Sequence, residues 1–175
     1  MTTVSTTQVG DFRPASRLDR GLLAAVRIGL GFMWLEGGAA WKTPPDFGGL
    51  RVWTTAAVKY PVFEPYSWLV DHLVLPNFLI FAWVVFVLEA SLGGFLMVGL
   101  GTRFWAVVGL AQTLAITLSA LRAPGEWPWS YFLMFLAHFA VLATAAGRFF
   151  GLDGVLRPAW LRSPSRLARL MVRAS

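Results

Sequence analysis

The chain's 175 residues suffice for one domain. At 57% hydrophobic and 14% charged, with a mean hydropathy of +0.61, they hold more apolar surface than one soluble core of this size hides, which excludes a water-soluble fold. Cys 0 excludes disulfides, thiolate nucleophiles and iron–sulfur clusters, and His 2 is too few for a His-rich zinc site or a bis-His haem, so neither metal nor haem is expected.

In chain order, residues 1–19 are polar and read as a tail. The first apolar run, Gly21–Trp41, is about 30 Å long as a helix, one bilayer core. A signal peptide competes for this stretch, because Gly37-Gly38-Ala39-Ala40 offers small residues. Its apolar region would be too long, however, and would contain Arg27 and Glu36. Residues 42–77 are too long for a bare loop and dense in Pro, Trp, Tyr and Phe. Leu50–Tyr60 and Tyr66–Leu75 read there as short interfacial helices forming a lid. Three further spans follow at about 78–101, 104–121 and 129–150. Four spans with two short connections predict an all-α integral membrane protein, an antiparallel four-transmembrane-helix bundle over residues 20–158. The last segment, 159–175, places Arg162, Arg166, Arg169 and Arg173 at helical spacing on one face, a basic amphipathic helix. It would lie on an anionic inner leaflet or dock onto a partner protein.

Placing the charges assigns orientation. With both termini inside, ten arginines (Arg13, Arg17, Arg20, Arg103, Arg148, Arg157, Arg162, Arg166, Arg169 and Arg173) fall on the cytoplasmic side. Lys42, Arg51, Lys59 and Arg122 on the outer side are balanced by Asp46, Glu64, Asp71 and Glu126. The net charge of +6 is therefore mostly a topology signal, and no nucleic-acid partner is expected.

Polar groups within the spans need a reason to be there, because lipid penalises each one. Glu89, Gln112 and His138 fall near one depth. Glu89 with His138 reads either as a proton-handling pair beside a cavity or as a hydrogen-bond cluster fixing helix register. Arg27 either snorkels to the inner headgroups or reaches toward Glu89. Glu36 lies near the outer mouth, and Gln112 serves as helix glue or cavity lining. Trp127, Trp129 and Tyr131 read as an interfacial belt or as flat walls for a quinone headgroup. The paired glycines Gly29/Gly31, Gly37/Gly38, Gly93/Gly94 and Gly99/Gly101 permit close helix approach or leave room for a flat ligand.

Three motifs run in order across these spans: Arg27-x3-Gly31-x5-Gly37-x4-Lys42, Glu89-x3-Gly93-Gly94-x4-Gly99-x-Gly101-Thr102-Arg103, and Gly147-Arg148-x2-Gly151-Leu152-Asp153. With them the chain resembles the DoxX/DoxD family of small four-helix membrane proteins over roughly residues 20–158. The stretch from Gly125 to Asp153 looks most like the DoxD branch, the membrane subunit of thiosulfate:quinone oxidoreductase. That resemblance implies oxidation of thiosulfate to tetrathionate, quinone as electron acceptor, and a DoxA-like or other redox partner subunit. On that reading Glu89, His138, Arg27 and Glu36 are the candidate catalytic residues, and Trp127, Trp129, Tyr131 and Gln112 the candidate quinone site. Lys42 and Arg122 are the cations expected to meet the thiosulfate dianion. A non-catalytic scaffold recruiting a redox or sulfur-handling enzyme is the first alternative, and a small-solute or proton transporter the second. The expected setting is a prokaryotic cytoplasmic membrane, with lipid and quinone as partners and homo-oligomerisation left open.

Overall fold

A computed structural model describes residues 16–40, 44–45 and 47–175. Among these residues eight α-helices run in order: α1 (Arg17–Met33), α2 (Gly48–Lys59), α3 (Glu64–Leu69), α4 (Phe78–Val98), α5 (Thr102–Ala120), α6 (Pro128–Thr144), α7 (Leu152–Arg162) and α8 (Arg166–Ala174). α1 continues as a π-helical segment, Trp34–Ala40, and α3 as a π-helical turn, Val70–Val74. No strand occurs among the described residues. The fold is all-helical, and α4 and α5 are long and apolar enough to cross a bilayer.

α4 carries apolar residues on every side, as a helix surrounded by protein and lipid should. Leu79, Ile80, Trp83, Val84 and Val87 stand exposed along its outer face. α1 packs along α4 and α5 along α6, while α4 also touches α5 and α1 touches α6. This ring closes around Leu30, Trp34, Leu92, Leu96, Ala106 and Val141. The α1–α4 approach depends on two glycines. A Cβ on Gly31 would lie 2.8 Å from the Gly93 carbonyl oxygen, and one on Gly93 would lie 2.8 Å from that of Gly31. Gly29 and Gly94 face open space, so in the pairs Gly29/Gly31 and Gly93/Gly94 one member makes the close approach.

Between α4 and α5 the chain reverses in three residues, Gly99–Gly101. Gly99 and Gly101 hold φ of 70° and 62°, the left-handed region that glycine enters without a Cβ penalty. Two buried charges secure this turn. Arg27 donates from Nη1 to the carbonyls of Leu96 and Met97 at 2.8 and 3.0 Å, and from Nη2 to that of Phe150 at 3.2 Å. It thereby supplies donors to carbonyls in the last turn of α4. Asp153 accepts from the backbone N–H of Gly101 at 2.7 Å and of Thr102 at 2.9 Å, capping the start of α5. Its own N–H donates to the Gly99 carbonyl at 2.8 Å. The expected reach of Arg27 toward Glu89, or outward to headgroups, is thus corrected. The guanidinium is fully buried against the turn, at least seven residues along α4 from Glu89, or about 10 Å.

Other boundaries shift for local reasons. α1 starts at Arg17, within the expected tail, because Ser16 and Asp19 form a reciprocal capping box. α6 ends at Thr144, short of the expected span, where Ala145 takes a φ of 48° and a 3-10 turn brings Gly147 against Thr102 and Asp153. The C-terminal segment is two helices, which corrects the single arginine face. Ser163 and Pro164 interrupt it, Ser165 Oγ caps α8 by accepting from Ala168 N–H at 3.1 Å, and Arg162 stays behind on α7.

Candidate functional site

The end of the bundle opposite the Gly99–Gly101 turn holds a cavity of about 370 Å³. Its walls follow helical spacing. α4 contributes Phe78, Phe81, Ala82 and Val85, and α5 faces them with Gln112, Ala115, Ile116, Ser119 and Ala120. The expected short helices form as α2 and α3, which cover the cavity as a lid. α2 presents Trp53, and α3 with its π-helical turn presents Tyr66 and Val70. The Tyr66 hydroxyl reaches the Ala115 carbonyl at 3.1 Å and Ser119 Oγ at 2.9 Å, which ties the lid to α5.

Glu89 lies one helical turn beyond Val85 on the same stripe of α4 and is fully buried. Gln112 lines the cavity, and its Nε2 donates to Glu89 Oε1 at 2.9 Å. A carboxamide therefore stands between the cavity and a buried carboxyl. At the rim, the Tyr131 hydroxyl donates to Glu126, and both line the cavity.

His138 sits in a separate arrangement. The Trp34 indole donates from Nε1 to His138 Nε2 at 3.0 Å, and His138 Nδ1 lies 2.7 Å from the Met134 carbonyl. An indole can only donate, so Nε2 carries the lone pair and the proton rests on Nδ1. Both ring nitrogens of a neutral imidazole are thereby used, binding the π-helical segment after α1 to α6. Gly109 on α5 makes the room, since a Cβ there would strike the imidazole. The structure pairs Glu89 with Gln112 and His138 with Trp34.

The remaining expected residues scatter. Trp127 and Trp129 are each 61% exposed and do not line the cavity, so of the expected quinone walls only Tyr131 and Gln112 do. Glu36 is exposed on the π-helical segment, outside the cavity lining. Arg122 donates from Nη1 to the Pro61 carbonyl at 2.7 Å, fastening the lid to the α5–α6 connection. Lys42 lies outside the described residues. Sequence reasoning missed Trp53, Tyr66 and Ser119 as cavity residues. The aromatic density of the lid segment was the available signal for the first two.

No curated protein matches the chain, and neither does any solved structure. A family model described as the TQO small subunit DoxD matches residues 63–170, from the start of the lid's second helix into α8. That is more than half of the chain, which therefore belongs to the DoxD family.

Proposed function

We propose that this chain is the membrane subunit of a thiosulfate:quinone oxidoreductase and that the cavity under α2 and α3 receives the quinone. The observation that carries this reading is an apolar cavity ending on Gln112, whose carboxamide is bonded to buried Glu89. A volume of about 370 Å³ falls in the range of small-ligand sites. Two thiosulfate dianions joining through a new S–S bond release two electrons, and a quinone takes up two electrons with two protons. Gln112 orients the ring by hydrogen bonding, and Glu89 behind it exchanges protons. His138 holds α1 to α6 and keeps the Glu89 level in register. Arg122 and Lys42 meet the thiosulfate dianion, and a partner subunit brings the electron carrier.

In this reading four spans cross the membrane. α1 with its π-helical continuation runs from Arg17 to Ala40, and both it and α6 turn apolar residues outward, among them Leu22, Phe32, Phe132 and Phe139. The arginine-rich turn end faces the cytoplasm.

The scaffold alternative is favoured by one observation. Arg27 of the first family motif and Asp153 of the last serve helix ends rather than a cavity. The test is quinone binding and thiosulfate-dependent quinone reduction by the protein in nanodiscs, with and without a membrane extract supplying the partner. Gln112→Leu is expected to weaken quinone binding about tenfold. Glu89→Gln is expected to leave binding nearly unchanged while lowering turnover about a hundredfold. Wild-type protein that binds no quinone overturns the enzyme reading and leaves the scaffold.

A further inference from the structure

The sequence left two occupants open for the basic C-terminal segment, and the structure separates them by position. α7 begins at the Gly99–Gly101 turn, tied there by Asp153. α4 is 21 residues long, about 30 Å, so its end at that turn lies at the edge of a bilayer core it crosses. α7 and α8 therefore start at headgroup level.

α8 is then held in a fixed attitude. Arg157 on α7 donates to the Val172 carbonyl at 2.6 Å and to Ser175 Oγ at 2.8 Å, and Ala168 is buried beneath. Opposite that packed side the helix shows two adjoining strips. Arg166, Arg169 and Arg173 form one, all exposed. Leu167 and Leu170 form the other, 69% and 60% exposed. Residues 154–175 contain five arginines and no Asp or Glu. Leu161 on α7 adds a further exposed apolar side chain at 63%.

We propose that α8 is a lipid-docking surface that seats on an anionic leaflet. Leu167 and Leu170 enter the acyl boundary, and Arg166, Arg169 and Arg173 meet lipid phosphates. The charge selects an anionic surface, the adjoining leucines require an apolar layer beneath it, and a leaflet at the α4 terminus supplies both. This inference rests on α4 crossing the membrane and is independent of the ligand in the cavity.

The absence of native cysteine allows one spin label at a time. Leu170→Cys, Arg169→Cys and, as a lipid-facing reference on α4, Val84→Cys are labelled in the full chain. Each is placed in nanodiscs of phosphatidylcholine alone and of phosphatidylcholine with phosphatidylglycerol. Accessibility to oxygen, which enters lipid, is compared with accessibility to a water-soluble nickel chelate. With phosphatidylglycerol, the oxygen-to-nickel ratio at 170 is expected to rise several-fold above that at 169 and approach that at 84, and to fall in phosphatidylcholine alone. Arg166→Gln or Arg173→Gln, added to the 170 label, is expected to lower the docked-to-released ratio about fivefold each. Equal ratios at 170 and 169 in both lipids overturn the proposal. Shielding of 170 from both reagents in both lipids also overturns it, because a protein then covers the leucines. A reference label at 84 as nickel-accessible as 169 removes the membrane reading, and the docking with it.

Discussion

The two ends of the bundle use polar residues in opposite ways. At the turn end, Arg27 and Asp153 are fully buried, and their hydrogen bonds go to backbone at the end of α4, at Phe150 and at the start of α5. At the lid end, the cavity is lined mainly by uncharged residues in helical stripes, and Gln112 among them is bonded to Glu89. Helix ends inside an apolar protein leave N–H and C=O groups that no water can satisfy, so a charged side chain is recruited to each. A charged residue in an apolar span therefore marks a helix end as readily as it marks chemistry.

The largest effect that would break this comparison is expected at the turn. Asp153→Ala removes the acceptor for two α5 amides and leaves Arg27, which lies within its electrostatic reach, as a buried charge. A loss of about 4 kcal/mol follows, read as thermal or denaturant unfolding in detergent. Asp153→Asn retains one acceptor oxygen and should lose less. The folded fraction of either variant should bind the cavity ligand as the unmodified chain does. Stability within about 0.5 kcal/mol of the unmodified chain would mean that the turn is held by something other than this pair of charges.

Gly109→Ala sharpens the comparison at the middle level. The new Cβ collides with His138 and pushes the imidazole from the Trp34 indole. Overpacking of this kind costs about 2 kcal/mol, and Trp34 emission should shift as its N–H loses its partner. A ligand-binding constant that stays within about twofold would separate the His138 arrangement from the cavity. A loss comparable to that of Gln112→Leu, about tenfold, would join the two.

What the sequence made legible follows the range of the interactions involved. Apolar run length placed α4 and α5 within a few residues, because a bilayer-length helix is specified locally. Gln112 stood out as a polar group in an apolar span and Tyr131 as an aromatic ring at the start of one, and both line the cavity. The interruption at Ser163-Pro164-Ser165 was also local, yet the regular arginine spacing masked it. The Arg27–Asp153 arrangement was not legible, since the two residues are 126 positions apart and each looked self-sufficient in its own motif. Trp53 and Tyr66 were hidden for another reason. Aromatic rings near a membrane surface suit a headgroup belt and a cavity wall equally well, and only the tertiary packing of the lid on α5 separates the two.

Trp127 and Trp129 carry the smallest predicted effect and test the same distinction from the other side. Both are 61% exposed, and neither lines the cavity, although they flank Tyr131 in sequence. Trp127 is the residue before α6 and Trp129 lies in its first turn, a position suited to headgroup anchoring. Replacing either with Ala should change stability by no more than about 0.5 kcal/mol and leave ligand binding within about twofold. Tyr131→Phe, two residues on, removes the hydroxyl that donates to Glu126 inside the cavity wall, and it should weaken binding by about fivefold. If Trp127→Ala or Trp129→Ala matched that loss, the ligand would extend past the rim into the belt. The cavity boundary would then have to include both indoles.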